Sequence, residues 1–154
     1  MSARGCSSSA STRTDNPELE TREIALDTGR QPALVDLTDQ CARFLAEVDA
    51  TDGLLTVFVP HATAAVVVVE LGAGTDADVL AALDRLLPRD DRWRHAHGSP
   101  GHGADHVLPL LASPSLVVPV VDGRTTLGTW QSIALLDPNR DNSHRTVRLT
   151  FLSS

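Results

Sequence analysis

The fold is decided by the stretch Leu54-Leu-Thr-Val-Phe-Val-Pro-His-Ala-Thr-Ala-Ala-Val-Val-Val-Val69. β-Branched residues dominate both of its halves, a composition that favours two extended strands over 54–59 and 64–69. Proline and small polar residues separate the two apolar runs and place His61 and Thr63 at the junction. The stretch therefore predicts a sheet with polar side chains where one strand ends and the next begins.

Amphipathic helices are predicted on both sides of this stretch. Apolar residues recur at helical spacing from Leu37 to Val48 and again from Asp78 to Leu87, each set forming one apolar face. A charged, glycine-containing loop follows at 89–101. Residues 104–111 are predicted to form a short third helix.

The remaining apolar runs predict further strands, over 21–27, 116–121, 128–136 and 145–152. Asp122-Gly123 is a strong tight-turn dipeptide after the second of these runs. Strands at both ends of the chain, helices inserted between them and mostly short connections indicate an α+β fold. We expect a largely antiparallel sheet with two to three helices.

Length and composition indicate one domain. The chain has 154 residues, 42% of them hydrophobic, which is enough for one core without disulfide or metal staples. Residues 1–18 are serine-rich and polar, so we expect a disordered N-terminal extension before a single domain at 19–154. We expect no membrane segment and a cytoplasmic location, because neither an apolar run of about 18 residues nor a secretory signal is present.

Missing residue types exclude several chemistries. All 13 basic residues are arginine, and the chain has neither lysine nor tyrosine. Schiff-base catalysis and the lysine-containing phosphate loop of nucleotide-binding proteins are therefore excluded. The net charge of −7 disfavours nucleic acid as a partner, because phosphates repel an acidic surface.

Histidines are the main candidates for chemistry near neutral pH. Four of the six fall within twelve positions, at His95, His97, His102 and His106. Imidazole is a common zinc ligand, and the i, i+4 spacing of the last two places them on one helix face. A polar loop with solvated histidines fits the same spacing, so both interpretations stay open.

Other side chains each allow two interpretations. His61 is either a functional group held at a strand end or a capping histidine, and Glu70 is either a proton-transfer group or a solvated strand end. Trp130 and Gln131, which follow a glycine, line a pocket or belong to the core. Arg145 either binds an anion or lies on a solvated strand face.

An ordered set of short motifs resembles the YjbQ family, which is also called the secondary thiamine-phosphate synthase family. The similarity covers about residues 20–152. The matching motifs are His61-Ala-Thr63, Val69-Glu70, Asp78-Val79, Leu87-Pro88, Trp93-Arg94-His95, Ala104-Asp105-His106, Val118-Pro119-Val120, Gly123, Leu127-Gly128-Thr129-Trp130-Gln131 and Arg145-Thr-Val147.

The resemblance implies a homotrimer with a histidine-lined site that holds a divalent metal, zinc or magnesium. It also implies weak thiamine-phosphate synthase activity on small phosphorylated substrates. His61, His95 and His106 match the family's histidines, and Glu70 matches its acidic position. The chain departs from the family at His102, where the family has asparagine.

These interpretations combine into one expected site. The expected metal ligands are His61, His95 and His106, the expected catalytic residues are His61 and Glu70, and the expected substrate-binding residues are Thr63, Trp130, Gln131 and Arg145. Two other functions stay open. One is a metal-dependent hydrolase of a small phosphorylated or acyl substrate, with Glu70 as base, and the other is a non-enzymatic trimer that binds a metabolite.

Overall fold

A computed structural model describes residues 18–154. The predicted N-terminal extension therefore lies outside the described residues, except for Glu18. The strands are β1 (Leu19–Asp27), β2 (Ala33–Asp36), β3 (Gly53–Phe58), β4 (Ala65–Val69), β5 (Ser115–Val121), β6 (Arg124–Thr125), β7 (Ser132–Asp137) and β8 (His144–Ser153). The helices are α1 (Thr38–Glu47), α2 (Thr75–Leu86) and α3 (His102–Asp105), followed by a 3₁₀ turn at Leu108–Leu110.

The strands form two sheets, and every strand pairing in the described residues is antiparallel. One sheet has the order β1-β8-β3-β5-β6, and the other has the order β2-β7-β4. The prediction of an α+β fold with a largely antiparallel sheet and two to three helices is confirmed. The Asp122-Gly123 turn is confirmed as well: it joins β5 to β6, and both residues have positive φ (49° and 72°), as its turn type requires.

The main core lies between the two sheets and α1. Phe44 and Leu45 of α1 pack with Leu55 of β3, Leu149 of β8 and Leu135 of β7. A smaller core on the other face of the three-stranded sheet contains Leu136. β7 is therefore buried on both faces, which explains its continuous apolar run.

The smaller core determines where the loop after α2 is held. Leu80 and Leu83 of α2 pack there against Ala104 of α3 and Leu108 of the 3₁₀ turn. α3 is thereby fixed against the ends of β4 and β7.

None of the helices in the described residues is long and apolar enough to cross a membrane.

Two local predictions were wrong, and one strand was missed. The helix predicted over 104–111 is the short α3 and the 3₁₀ turn. The strand predicted from Gly128 begins only at Ser132, because the Gln131 side chain accepts the backbone N–H of Gly128 at 2.8 Å and closes a turn. β2 was not predicted, since four residues are too few for a periodic pattern.

Candidate functional site

Four histidines form one cluster at the end of the three-stranded sheet, and we call it the four-histidine cluster. Its members are His95, His97, His102 and His106, and one ring nitrogen from each lies within 4.8 Å of the others. The ring centroids of His95 and His106 are 4.2 Å apart, and those of His97 and His106 are 6.1 Å apart. The cluster brings together the four histidines that are close in sequence.

α3 provides the rigid half of the cluster. His102 begins this helix and is 7% exposed, and its Nε2 lies 3.0 Å from Nε2 of His106, one turn later. Gly103 allows this turn to pack closely, because a Cβ there would overlap Trp93 and would lie 2.7 Å from the carbonyl oxygen of His95. His95 and His97 are exposed and approach from the preceding loop.

Carboxylates surround the buried ring of His102. Nδ1 of His102 lies 2.9 Å from Oδ2 of Asp141 and 3.6 Å from Oδ2 of Asp105. Burial raises the pKa of Asp105, and the neighbouring Arg89, which pairs with it, opposes that shift. The backbone N–H of Ser99 lowers the pKa of Asp141, so this carboxylate is ionised at neutral pH.

The surroundings of His95 and His106 favour the neutral form of their imidazole rings. Desolvation lowers the pKa of His95, and the neighbouring His97 and His106 lower it further. Desolvation also lowers the pKa of His106, followed by the effect of His102 and His97. Neutral imidazole is the form that binds a metal ion.

A cavity of about 420 Å³ lies beside the cluster. Its lining contains His95 and His102, residues Asp90, Asp91 and Trp93, and the turn that precedes α3. The volume is in the range that accommodates a small molecule. Among the described residues, two aspartates and no arginine line the cavity.

His61 is not a member of the four-histidine cluster. Its Nε2 accepts the backbone N–H of Thr146 at 3.0 Å, which joins the end of β3 to β8. Burial lowers the pKa of His61, and Arg145 lowers it further. Of the three expected metal ligands, the structure brings together His95 and His106 and places His61 in a different set of contacts.

Thr63 and Arg145 belong to a buried polar network. Arg145 is 2% exposed, and it donates from Nε and Nη2 to the carboxylate of Asp137 at 2.8 and 2.9 Å. Oγ1 of Thr63 accepts from Nδ2 of Asn139 at 2.9 Å. An anionic substrate would have to displace Asp137 to reach this guanidinium.

Glu70, Trp130 and Gln131 lie at the opposite end of the three-stranded sheet. Val69 of β4 is paired with Ser132 of β7, whereas Ala65 is paired with Leu136. The four residue steps along β4 span about 13 Å at roughly 3.3 Å per residue. Glu70 and Trp130 are exposed there, whereas Thr63 precedes the other end of the strand.

Sequence reasoning missed the role of Asp141 and left His102 outside the expected ligand set. The spacing His95-x-His97-x4-His102-x3-His106 carried the signal for His102. No sequence signal connected Asp141 to this group, because it comes from the loop between β7 and β8, 35 residues or more after the other members.

Comparisons with known proteins agree with the fold and with the resemblance. The UPF0047 protein YjbQ-like family model matches residues 22–154. The UPF0047 protein Rv2556c of Mycobacterium tuberculosis is 56% identical over 134 residues, covering 87% of this chain and 98% of the relative. A UPF0047 protein of Archaeoglobus fulgidus is 34% identical, covering 81% of this chain and 96% of the relative.

Solved structures show the same architecture. A YbjQ-like protein of unknown function from Sulfolobus solfataricus P2 superimposes with a TM-score of 0.84 at 27% identity, covering 90% of this chain and all of that one. The hypothetical protein APE1520 from Aeropyrum pernix K1 gives 0.81 at 32% identity, covering 88% and 99%. The chain therefore belongs to the UPF0047 family of YjbQ-like proteins.

Proposed function

We propose that this protein is a zinc-dependent hydrolase of small acyl substrates, with its active site at the four-histidine cluster. The observation that carries the proposal is the convergence of four imidazole groups, with ring nitrogens within 4.8 Å of one another, beside a cavity large enough for a small molecule. Hydrolysis adds water across an ester or amide bond and releases an acid together with an alcohol or an amine.

The donor set fits zinc better than magnesium. Imidazole nitrogen suits zinc, whereas magnesium prefers oxygen ligands. Two nitrogens bound to one tetrahedral zinc, each at about 2.0–2.1 Å, are roughly 3.3 Å apart. The Nε2 atoms of His102 and His106 are 3.0 Å apart, so a small adjustment of either ring would allow both to bind one ion.

His95, His102 and His106 would hold the zinc. His102 begins α3 and His106 directly follows it. The His95 ring lies closer to His106 than the His97 ring does, 4.2 Å against 6.1 Å between centroids, whereas their distances to His102 differ little, 5.8 Å and 5.2 Å. Three histidine ligands leave one position open, which is the pattern of catalytic rather than structural zinc sites. A bound zinc ion would supply Lewis acidity, which polarises a substrate carbonyl and activates water.

The cavity favours an acyl over a phosphorylated substrate. Asp90 and Asp91 line it, and Arg92 pairs with Asp90, so Asp91 leaves a negative charge there that repels a phosphate. Arg89 and Arg145, which could neutralise phosphate charge, are paired instead with Asp105 and Asp137. A neutral or cationic ester or amide meets no such repulsion.

His97 would transfer protons at the open side of the cluster. Its ring is exposed, and its centroid is 4.0 Å from that of His95. We expect His97→Ala to keep bound zinc and to lower kcat for ester hydrolysis by about 10²–10⁴-fold, the usual contribution of a general acid or base. Zinc content by mass spectrometry and turnover of a fluorogenic ester panel check this.

His144→Ala is the matched control for His97→Ala, because His144 is an exposed histidine outside the cluster. It should retain both zinc and turnover. Wild-type protein with stoichiometric zinc but no turnover on esters, amides or phosphate esters would contradict the enzymatic proposal and leave metabolite binding as the function. Hydrolysis of phosphate esters alone would contradict the acyl assignment.

Thiamine-phosphate synthase activity is a second candidate, and it comes from the family resemblance. The exposed Arg94, next to His95, is the feature of the site that favours it, because a diphosphate leaving group needs a cation. Incubation with hydroxymethylpyrimidine diphosphate, thiazole phosphate and magnesium tests it. Thiamine phosphate formation that is lost in Arg94→Ala would support this candidate over the hydrolase.

We also propose that the protein assembles as a homotrimer, as the resemblance implies. A row of apolar side chains crosses the outer face of the five-stranded sheet, formed by Leu19 of β1, Leu152 of β8, Leu54 of β3 and Pro119 of β5. Leu19 is 65% exposed and Leu54 is 44% exposed. Exposed apolar rows of this kind are typical of subunit interfaces.

We expect sedimentation equilibrium to give a mass close to three times 16.4 kDa. Leu54→Arg should lower that mass to one chain, because burying an unpaired charge in an interface is unfavourable. Arg124→Glu, a charge change at an exposed β6 residue outside the apolar row, should leave the trimer intact. A wild-type monomer at micromolar concentration would contradict the assembly.

A further inference from the structure

The side chain of Asp141 contacts the most buried member of the four-histidine cluster. Its Oδ2 lies 2.9 Å from Nδ1 of His102 and accepts the backbone N–H of Ser99 at 3.1 Å. In zinc sites, a carboxylate that accepts the second ring N–H of a histidine fixes both the tautomer and the orientation of the ring. We infer that Asp141 is the positioning residue of this site and prepares Nε2 of His102 to bind zinc.

The backbone is shaped for this contact. Gly98 has a φ of +81°, and a Cβ there would lie 2.6 Å from Oδ2 of Asp141 and 3.1 Å from Cγ of His102. A side chain at position 98 would therefore push the carboxylate away from the ring. The close approach of Asp141 to His102 therefore requires glycine at position 98.

The loop that carries Asp141 is itself held in place. The backbone N–H of Asp141 donates to Oδ1 of Asn139 at 2.6 Å, and Nδ2 of Asn139 donates to Thr63. The backbone N–H of Asn139 donates to Asp137, the buried partner of Arg145. The polar network at the sheet end therefore orients the carboxylate, which gives Thr63 and Arg145 a positioning function without substrate contact.

Asp141 is better placed for this role than Asp105. Oδ2 of Asp105 lies 3.6 Å from Nδ1 of His102, beyond hydrogen-bond distance, and Oδ1 of Asp105 pairs with Arg89. Nδ1 of His102 is buried without an aligned hydrogen-bond partner among the described residues, and Oδ2 of Asp141 is the carboxylate oxygen nearest to it. A small rotation of the ring would direct the Nδ1 proton to Asp141 and leave the lone pair on Nε2. That lone pair points towards His106, where the zinc would bind.

Asp141→Asn tests the inference, which rests on the proposed zinc site. An amide has the shape of the carboxylate, but its N–H₂ group can donate to Nδ1 and thereby place the ring proton on Nε2. We expect the substitution to weaken zinc binding by about 10–100-fold, the usual effect of losing such a partner, as measured by competition with a chromophoric chelator. In the metal-free protein, ¹⁵N NMR should report His102 as the Nδ1–H tautomer in the wild type and as Nε2–H in the variant.

Asp91→Asn is the matched control, because it removes one negative charge from the cavity lining at a residue that does not contact His102. It should leave zinc affinity within about threefold of wild type. Asp141→Glu, which retains the acceptor, should bind zinc more tightly than Asp141→Asn. Unchanged affinity and tautomer in Asp141→Asn would overturn the inference while leaving the zinc site standing, whereas wild-type protein that binds no zinc would instead overturn the proposed function.

Discussion

Replacing Asp137 by alanine is expected to lower the free energy of unfolding by about 3–5 kcal/mol. The carboxylate accepts two hydrogen bonds from Arg145, one from Oγ1 of Thr28 at 2.6 Å and one from the backbone N–H of Asn139 at 3.1 Å. Both members of the ion pair are almost completely buried. Removing the carboxylate leaves a buried guanidinium charge without a partner, and that penalty is larger than the loss of the hydrogen bonds alone.

Urea unfolding followed by circular dichroism measures this effect. Glu23→Ala is the matched control, because Glu23 pairs with Arg148 of the same strand, β8, but both side chains are about half exposed. An exposed ion pair contributes at most about 1 kcal/mol. If Asp137→Ala and Glu23→Ala lowered the free energy of unfolding equally, burial of the Arg145–Asp137 pair would not govern stability.

Replacing His106 by alanine is expected to abolish stoichiometric zinc binding. His106 lies between the rigid and the exposed halves of the cluster, 3.0 Å from His102 through the two Nε2 atoms and 4.2 Å from His95 between ring centroids. Loss of a direct ligand should weaken zinc binding by more than the roughly 10–100-fold expected for an outer partner. Zinc titration with a competing chelator measures the change.

The fold should survive this substitution. Leu108 and Ala104, on either side of His106, pack in the smaller core, so the apolar contacts of α3 remain. The far-ultraviolet circular dichroism spectrum of His106→Ala should match that of His144→Ala. A His106→Ala protein that retains one zinc per chain at wild-type affinity would contradict its role as a ligand.

The elements that could be predicted from sequence are those with a long periodic pattern. α1 repeats apolar residues at helical spacing, and β3 and β4 are rich in β-branched residues, so local sequence was sufficient for each. β2 is only four residues long, and the turn at Gly128–Gln131 depends on a side-chain hydrogen bond. Patterns of hydrophobicity contain neither kind of information.

The site was predictable in part for a related reason. Histidines close together in sequence allowed either a metal cluster or a solvated loop, and the expected ligands were His61, His95 and His106. The structure brings His95 and His106 together with His97 and His102 instead of His61. The contact between Asp141 and His102 joins the loop after β7 to α3. Tertiary packing alone brings these two segments together, so no spacing rule predicts the contact.

The pairing of Arg145 shows the same limitation. An arginine in the last predicted strand of the chain indicates either an anion-binding site or a solvated strand face. Its neighbours in the sequence do not distinguish these two interpretations. Its partner Asp137 ends β7, and the fold buries both side chains. The structure contradicts the solvated face, because β8 lies between β1 and β3 and Arg145 is buried.

The most direct test of the zinc site is anomalous X-ray scattering at the zinc edge from crystals of untagged protein grown with one equivalent of zinc. We predict a single anomalous peak within about 2.0–2.1 Å of one ring nitrogen each of His95, His102 and His106, the usual zinc–nitrogen distance. No peak at the four-histidine cluster, or a peak bound by His61 in place of His102, would contradict the site described above.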